Sequence, residues 1–206
     1  LRLANSLGML IAGPNGQGVV STPSSLCLQI VAPYPPLGGI SVASQSGNFV
    51  SSFLNYSQQS GVGIARAISA GNATQISVEN FLQYFASDDD TKVALTYIEN
   101  VGNGESLLQA MKHITAVKPL VVLKGGATAA GSKAAQSHTG AMASNDRVFL
   151  GATRSAGAIK VSSVEGAFDT AATFATQPLP RGRRVAVLTT VGGWGVVTAD
   201  AIARDG

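Results

Sequence analysis

The sequence is poor in cysteine, in charge and in long apolar runs, and each shortage excludes a class of protein. A single cysteine among 206 residues excludes an internal disulfide framework and fits a reducing compartment. Charged residues make up 12% and the net charge is +3, which excludes the strongly basic surface typical of nucleic-acid binding. No apolar run reaches the roughly 18 residues of a membrane span, and the first residues carry no signal-peptide pattern. We therefore expect a cytoplasmic protein that contacts neither membrane nor nucleic acid.

Glycine and apolar residues are abundant instead. The chain has 24 glycines without any period, and 45% of its residues are hydrophobic. This composition is typical of an α/β domain with many tight turns between strands and helices. The basic cluster "RGRR" (181–184) is interpreted as a solvated linker, the more frequent role of such a cluster.

Strands and helices alternate along the middle of the chain. Short β-rich runs are followed by segments of helical spacing, which indicates a parallel sheet with right-handed crossovers and helices on both faces. We predict strands within 39–47, a run that ends in a polar Gly-containing turn, and at 63–71, 91–100, 118–126 and 158–163. We predict the helices that separate and follow them at 48–61, 77–88, 103–117, 146–157 and 164–176.

Both ends of the sequence look like parts of neighbouring domains. The chain begins without Met inside a helix-to-strand pattern, and it stops one helix after a predicted strand. A Pro-rich linker (177–182) precedes a second unit, "RRVAVLTTVGGWGVVTADAIARDG", of predicted strand, Gly-rich turn and helix. We interpret the chain as a piece of a longer protein.

Polar and glycine-rich turns follow several predicted strands, at the sheet edge where doubly wound folds bind ligands. The turn "SQSGN" (44–48) leads into a helix whose free N–H groups suit an anion, although an ordinary turn with a capping Ser would look the same. Glu99 ends an apolar strand, where an acid is often merely solvated. The glycines of "KGG" (124–126) would let the backbone approach a ligand closely.

His138 stands in "AAQSHTGAMASND" (134–146), a loop of almost nothing but small residues that follows a predicted strand. A carboxylate that accepts one imidazole N–H leaves the other nitrogen free as a nucleophile. Glu99 is the candidate for that carboxylate, and the Ser44–Gly47 turn would receive the phosphoryl group. His113 lies on the polar side of a predicted helix and receives no role.

Six motifs, taken in order, resemble the NDP-forming acyl-CoA synthetases, or ADP-forming acetate–CoA ligases, of the succinyl-CoA synthetase superfamily. They are "GPNGQG" (13–18), "SQSGN" (44–48), "YIEN" (97–100), "LKGG" (123–126), "SHTGA" (137–141) and "VGGWG" (191–195). The resemblance implies a flavodoxin-like, succinyl-CoA-ligase-like domain at 38–177. It also implies that 1–37 is the tail of a CoA-binding Rossmann-like domain, and that 178–206 is a linker with the first βα unit of the next ligase domain.

The resemblance further implies a reaction: acyl-CoA, ADP and phosphate are interconverted with a carboxylic acid, CoA and ATP through a phosphohistidine. It assigns His138 and Glu99 as catalytic residues and Asn15 as a contact of CoA. The residues expected to bind phosphate are Ser44, Gln45, Ser46, Gly47, Gly125, Gly126, Gly192 and Gly193. ATP or ADP with Mg²⁺ would bind an ATP-grasp domain or subunit outside this chain, and we expect an oligomer that is inactive as this isolated piece.

Two residues that differ from those of the succinyl-CoA synthetases indicate which kind of carboxylic acid is the substrate. Gln45 stands where those enzymes carry Arg, and Ser51 where they carry Tyr, which favours a monocarboxylic acid over succinate. A second hypothesis is a non-catalytic, CoA-sensing module of the same fold, such as those fused to protein acetyltransferases. Such modules tend to lack the histidine, so the presence of both His138 and Glu99 favours the enzyme. A flavin carrier of flavodoxin type is disfavoured because a matching phosphate loop with aromatic flanks is missing.

Overall fold

The computed structural model describes residues 1–30, 32–128, 130–131, 133, 145–182 and 184–205. Seven strands form one sheet. They are β1 (Gly18–Ser21), β2 (Leu26–Gln29), β3 (Leu37–Ser44), β4 (Ile64–Ser69), β5 (Val93–Ile98), β6 (Leu120–Lys124) and β7 (Ile159–Val161).

Helices connect the parallel strands, and several begin at a residue that caps them. The helices are α1 (Arg2–Ser6), α2 (Gly47–Ser60), α3 (Val78–Ser87), α4 (Gly104–Thr115), α5 (Asp146–Ser155), α6 (Val164–Thr176) and α7 (Gly192–Asp205). Ser77 and Asn80 form a capping box at the start of α3, and the Asn103 side chain accepts the Ser106 N–H at the start of α4. These local signals agree with the helix starts predicted from the sequence.

The strand order confirms the predicted fold class. The sheet runs β2-β1-β4-β3-β5-β6-β7, and all pairs from β4 to β7 are parallel. The first strand of the parallel set, β3, lies between β4 and β5, so the chain winds first to one side and then to the other. This is the doubly wound, flavodoxin-like order, in which the carboxyl ends of β3, β4 and β5 meet at one edge.

Two apolar clusters cover the two faces of the sheet. One contains Leu82, Phe85 and Ile114, which come from α3 and α4. The other contains Phe53 and Phe168, which come from α2 and α6. Because both faces are covered, strands such as β5 are buried at every position, as expected for the centre of a parallel sheet.

The hairpin of β1 and β2 extends the same sheet, which the sequence did not predict. β1 pairs antiparallel with β4, with Val19 opposite Ile68, and also antiparallel with β2. Part of the segment 1–37 is therefore hydrogen-bonded to the flavodoxin-like sheet. Whether it also belongs to a preceding domain stays a prediction.

The predicted strand after the Pro-rich linker is wrong. Residues 184–190 form no strand and are exposed, and α7 begins at Gly192 after them. A strand needs hydrogen-bonding neighbours, and in the described part of the chain this segment pairs with none. None of the helices within the described residues combines the length and apolarity needed to cross a membrane.

Candidate functional site

A cavity of about 620 Å³ lies at the carboxyl ends of β3, β4 and β5. It is formed by the turns that follow these strands together with the loop that precedes β1. Its described lining consists of Asn15, Gln17, Gln45, Ser46, Gly47, Asn48, Gly71, Asn72, Ala73, Glu99 and Asn100. The sheet topology thus creates the ligand crevice expected of a doubly wound fold.

The start of α2 faces this cavity with free backbone donors. Ser46 is the residue that precedes the helix, yet no side chain among the described residues caps it. The Ser44 hydroxyl instead closes the turn, accepting the Ser46 N–H at 3.1 Å and donating to the Ser46 carbonyl at 2.7 Å. Among the described residues nothing accepts from the first N–H groups of the helix, at Gly47 and Asn48, so they suit an anion in the cavity.

The Gln45 side chain is engaged with the loop after β5. Its Oε1 accepts the N–H groups of Glu99 at 2.7 Å and Asn100 at 2.9 Å. Its Nε2 donates to the Asn100 carbonyl at 2.8 Å. The backbone N–H of Gln45 also donates to the Tyr97 carbonyl at 3.2 Å. Gln45 therefore joins the turn after β3 to the turn after β5.

Tyr97 and Gly125 shape the surroundings of the Glu99 side chain. The Tyr97 hydroxyl and the Glu99 side chain lie beside each other at Gly125. Burial, and then the nearby negative charge of the Glu99 carboxylate, raise the pKa of Tyr97 above its usual range. The Tyr97 ring lies 3.9 Å from the Phe49 ring, centroid to centroid. A Cβ at position 125 would fall 2.5 Å from the Tyr97 hydroxyl and 3.4 Å from Glu99 Cγ, so glycine leaves space for both side chains.

Lys124 ties the same loop to the end of β6. This lysine is 7% exposed, and its Nζ donates to the Glu99 carbonyl at 3.0 Å and to the Gly125 carbonyl. The Phe149 ring lies 5.6 Å from Nζ, which adds a cation–π contact. Burial lowers the pKa of Lys124, because the charged form loses hydration that the carbonyls only partly replace.

The opposite wall of the cavity is built from two loops that hydrogen-bond to each other. The Asn72 N–H donates to the Pro14 carbonyl at 2.9 Å, and the Thr74 N–H donates to the Gly13 carbonyl at 3.1 Å. Asn15 Nδ2 donates to Asn72 Oδ1 at 3.3 Å. Asn15 (φ 59°) and Ala73 (φ 47°) both adopt the left-handed conformation, which is costly for Ala. Backbone strain of this kind is characteristic of functional sites.

Gln17 connects this wall to the start of α2. Its Nε2 donates to Asn48 Oδ1 at 2.9 Å, and its Oε1 accepts from the Ser51 hydroxyl. The Gln17 side chain lies directly over Gly47, where a Cβ would fall 2.3 Å from its Cγ. Gln17 therefore requires a glycine at the first position of α2.

Neutral amides dominate the chemistry of the cavity. Five side-chain amides besides Gln45 line it, at Asn15, Gln17, Asn48, Asn72 and Asn100, and Glu99 is the one charged residue of the described lining. Within the described ranges, no three His, Cys, Asp or Glu side chains are grouped to hold a metal ion. The described lining thus offers a ligand many hydrogen-bonding groups.

The structure brings together only some of the residues predicted for the site. Asn15, Gln45, Ser46, Gly47 and Glu99 line the cavity, while Ser44 and Gly125 support residues that do. Gly126, Gly192 and Gly193 are not among the described lining residues. His138 lies outside the residues that the structure describes, so its position relative to Glu99 stays a prediction.

Sequence reasoning missed the amides at Gln17, Asn48, Asn72 and Asn100. Asn72 follows β4 in "SAGN", and the rule that ligands bind beyond strand ends could have found it. Gln17 could not be found in this way, because it reaches the cavity through the unpredicted pairing of β1 with β4.

Comparisons with known proteins agree with this architecture. The sequence profile of the family described as "Succinyl-CoA ligase like flavodoxin domain" matches residues 37–174. The ADP-forming acetate–CoA ligase I of Archaeoglobus fulgidus is 37% identical over 203 residues, which are 98% of this chain and 29% of that protein. The subunit alpha of ADP-forming acetate–CoA ligase I of Pyrococcus furiosus is 33% identical, covering 98% of this chain and 44% of that subunit.

A solved structure is also closely similar. It is the dinucleotide-forming acetyl-coenzyme A synthetase 1 of Ca. Korarchaeum cryptofilum in complex with phosphate and ADP, with a TM-score of 0.93 and 32% identity. The match covers 98% of this chain and 44% of that one. This chain spans less than half the length of each of these relatives. By its fold, its matched profile and its homology to ADP-forming acyl-CoA ligases, the chain belongs to the family of succinyl-CoA ligase-like flavodoxin domains.

Proposed function

We propose that this chain is part of an ADP-forming acyl-CoA ligase that works through a phosphohistidine at His138. Phosphate attacks the thioester of acyl-CoA, which gives an acyl phosphate and free CoA. The imidazole of His138 then takes the phosphoryl group and releases the carboxylic acid, and ADP accepts the phosphoryl group to give ATP. Each step is reversible.

The observation that carries this proposal is the shared cavity of Glu99 and the start of α2. A carboxylate can accept one imidazole N–H and stabilise the cation that forms, as in other nucleophile sites. The Ser44–Gly47 turn supplies backbone N–H groups and the positive end of a helix dipole for the phosphoryl group. The two groups needed to orient a histidine and to neutralise a phosphate therefore face one space.

We propose a monocarboxylic acid as the substrate. The described lining offers amides and no Arg or Lys side chain, so a second carboxylate would find no cation there. Asn15 is proposed to contact CoA at this cavity, since it lies on the wall opposite Glu99.

The remaining parts of the reaction are proposed to lie on other domains. By homology to ADP-forming ligases, ATP or ADP and Mg²⁺ are assigned to an ATP-grasp domain or subunit. The name of the Pyrococcus relative, a subunit alpha, supports a separate partner subunit in some members. Gly192 and Gly193 would provide a second phosphate-binding helix start, and 178–206 would belong to the next domain of a cytoplasmic, oligomeric enzyme.

The proposal is tested by phosphorylating the complete ligase that contains this chain. Incubation with ATP labelled at the γ-phosphate should give a phosphoprotein that is labile in acid and stable in base. We expect His138→Ala to abolish the label, because it removes the imidazole nitrogen that accepts the phosphoryl group.

His113→Ala is the matched control, because His113 is exposed on α4 and away from the cavity lining. It should retain the full label. Label that survives in His138→Ala would contradict the phosphohistidine, and a wild-type protein that takes up no label and forms no ATP would favour the non-catalytic module.

A further inference from the structure

We propose that Gln45 acts as a positioning residue for Glu99, holding it through its backbone, and not as a phosphate ligand. This inference rests on the proposed function for its catalytic consequence. Its structural part concerns only how the end of β5 is held, and it can be tested without any activity.

The Glu99 loop needs such support because it leaves the sheet. Ile98 is the last residue of β5 and pairs with Lys124 of β6. From Glu99 onward the backbone N–H groups have lost their strand partners. The Gln45 amide replaces them, since it accepts both N–H groups and donates to the Asn100 carbonyl, all within 2.9 Å. One side chain thus satisfies three backbone groups of a two-residue loop.

Lys124 holds the same loop from the other side. Its Nζ binds the Glu99 carbonyl at 3.0 Å, so the N–H and the carbonyl of Glu99 are held by two different side chains. With its backbone held from both sides, Glu99 has little freedom to move relative to the start of α2.

The same contacts argue against a direct role of Gln45 toward phosphate. Its Oε1 is occupied by two donors and one Nε2 hydrogen by a carbonyl, which orients the plane of the amide toward the loop. Its backbone N–H is also used, by the Tyr97 carbonyl. The free donors of this turn belong instead to Gly47 and Asn48.

Steady-state kinetics of the complete ligase distinguish a Gln45 that positions Glu99 from a Gln45 that binds phosphate. Gln45→Met keeps the length of the side chain and removes all three hydrogen bonds. If Gln45 positions Glu99, kcat should fall on the order of 10- to 100-fold, as for a catalytic group displaced by a fraction of an ångström to an ångström. The KM for phosphate should stay within about twofold, because no phosphate contact is lost. A large rise in this KM with unchanged kcat would overturn the proposal.

A double-mutant cycle with Glu99→Gln provides the second criterion. If Gln45 acts only through Glu99, its substitution should have little further effect on kcat once the carboxylate has been removed. Gln45→Met should therefore lower kcat by less than about threefold in the Glu99→Gln background. Full additivity of the two effects would mean that Gln45 acts independently of Glu99. If Gln45→Met does not fold, Gln45→Asn keeps a neutral amide at the turn but is one methylene too short to make these bonds, and the same criteria apply to it.

Amide hydrogen exchange on this chain tests the structural part alone. In Gln45→Met the Glu99 and Asn100 amides should exchange about tenfold faster or more, since each loses a hydrogen bond. Gln29→Met is the matched control: the Gln29 amide also binds backbone carbonyls, of Ala32 and Pro33, but lies outside the cavity lining. It should leave both amides and kcat unchanged.

Unchanged exchange of both amides in Gln45→Met would overturn the proposal even in an active ligase. If the Glu99 and Asn100 amides exchange faster in Gln45→Met but the wild-type protein has no ligase activity, the proposed function is wrong. The inference that Gln45 holds Glu99 would still stand.

Discussion

Two segments of this chain share a sequence pattern and adopt different structures. "GISVASQSGNFV" (39–50) and "VAVLTTVGGWGV" (185–196) each consist of a β-rich run, a Gly-containing turn and the start of a helix. The first forms β3 and the start of α2, and its strand is almost wholly buried. The second forms only the helix α7, and the run before it is exposed.

The difference comes from the neighbours and not from the local sequence. β3 lies between β4 and β5 and bonds to both along its length. Val185, Val187 and Leu188 have the same propensity for a strand, but they are 64%, 43% and 101% exposed. A β-rich run is therefore a potential strand, and it becomes one only where a sheet offers an edge to pair with.

The largest expected difference between the two segments is the cost of a buried charge. Val42→Asp in β3 places a carboxylate at a position that is 0% exposed. We expect it to cost roughly 4 kcal/mol or more, a large part of the stability of a typical domain. Val187→Asp should change the free energy of unfolding by less than about 0.5 kcal/mol, since that side chain is already partly in water. Denaturant unfolding of both variants measures this, and equal losses would mean that the second run is also packed.

Alanine at a glycine in the first turn of each helix, Gly47 in α2 and Gly193 in α7, should have opposite effects. Gly47→Ala would force the Gln17 side chain aside, because its Cγ lies 2.3 Å from the new Cβ, at a cost of about 1–3 kcal/mol. A Cβ at Gly193 meets no atom within 4 Å, so Gly193→Ala should favour α7 by up to about 1 kcal/mol. Thermal unfolding measures the effect of Gly47→Ala, and the helical signal in circular dichroism measures the effect of Gly193→Ala. Destabilisation by both would show that α7 is packed as tightly as α2.

The smallest predicted effect is a pH dependence of the folding stability, which comes from Tyr97 in the buried strand β5. The pKa of Tyr97 lies above its ordinary value of 10.0 in the folded chain, mainly because of burial and then because of Glu99. The folded state thus binds this proton more tightly than the unfolded state. Its contribution to stability is complete below pH 10 and is lost as the pH rises further toward the folded pKa.

Tyr97→Phe removes this contribution, so the wild type should lose more stability than the variant between pH 10 and 11. The wild-type minus variant spectrum should also show tyrosinate absorbance only above pH 10. Half-ionisation at or below pH 10 would mean that the Tyr97 hydroxyl is hydrated and not shielded from water.

Much of the fold could be predicted because strand order follows from crossover rules and helix ends carry chemical signals. Ser77 and Asn103 cap the helices at the predicted places. The β1–β2 hairpin could not be predicted, since nothing local in its short strands indicates pairing with β4 some 45 residues later.

The candidate site was predictable at the level of backbone position. Glu99, Ser46 and Gly47 reach the cavity because they directly follow strands whose ends meet at one edge. What the side chains of Gln45 and Lys124 bind could not be inferred, because a polar side chain after a strand can turn toward solvent, ligand or another loop. Three-dimensional contacts decide this, and they direct both residues to Glu99.

The amide lining of the cavity has a consequence for how an anion would be held there. Lysine and arginine attract anions over a Debye length, and dissolved salt weakens that attraction. The described lining holds no such cation, so short-range backbone and carboxamide dipoles would do the binding. Selectivity at this edge of the sheet would then come from the shape of the anion and the geometry of its hydrogen bonds.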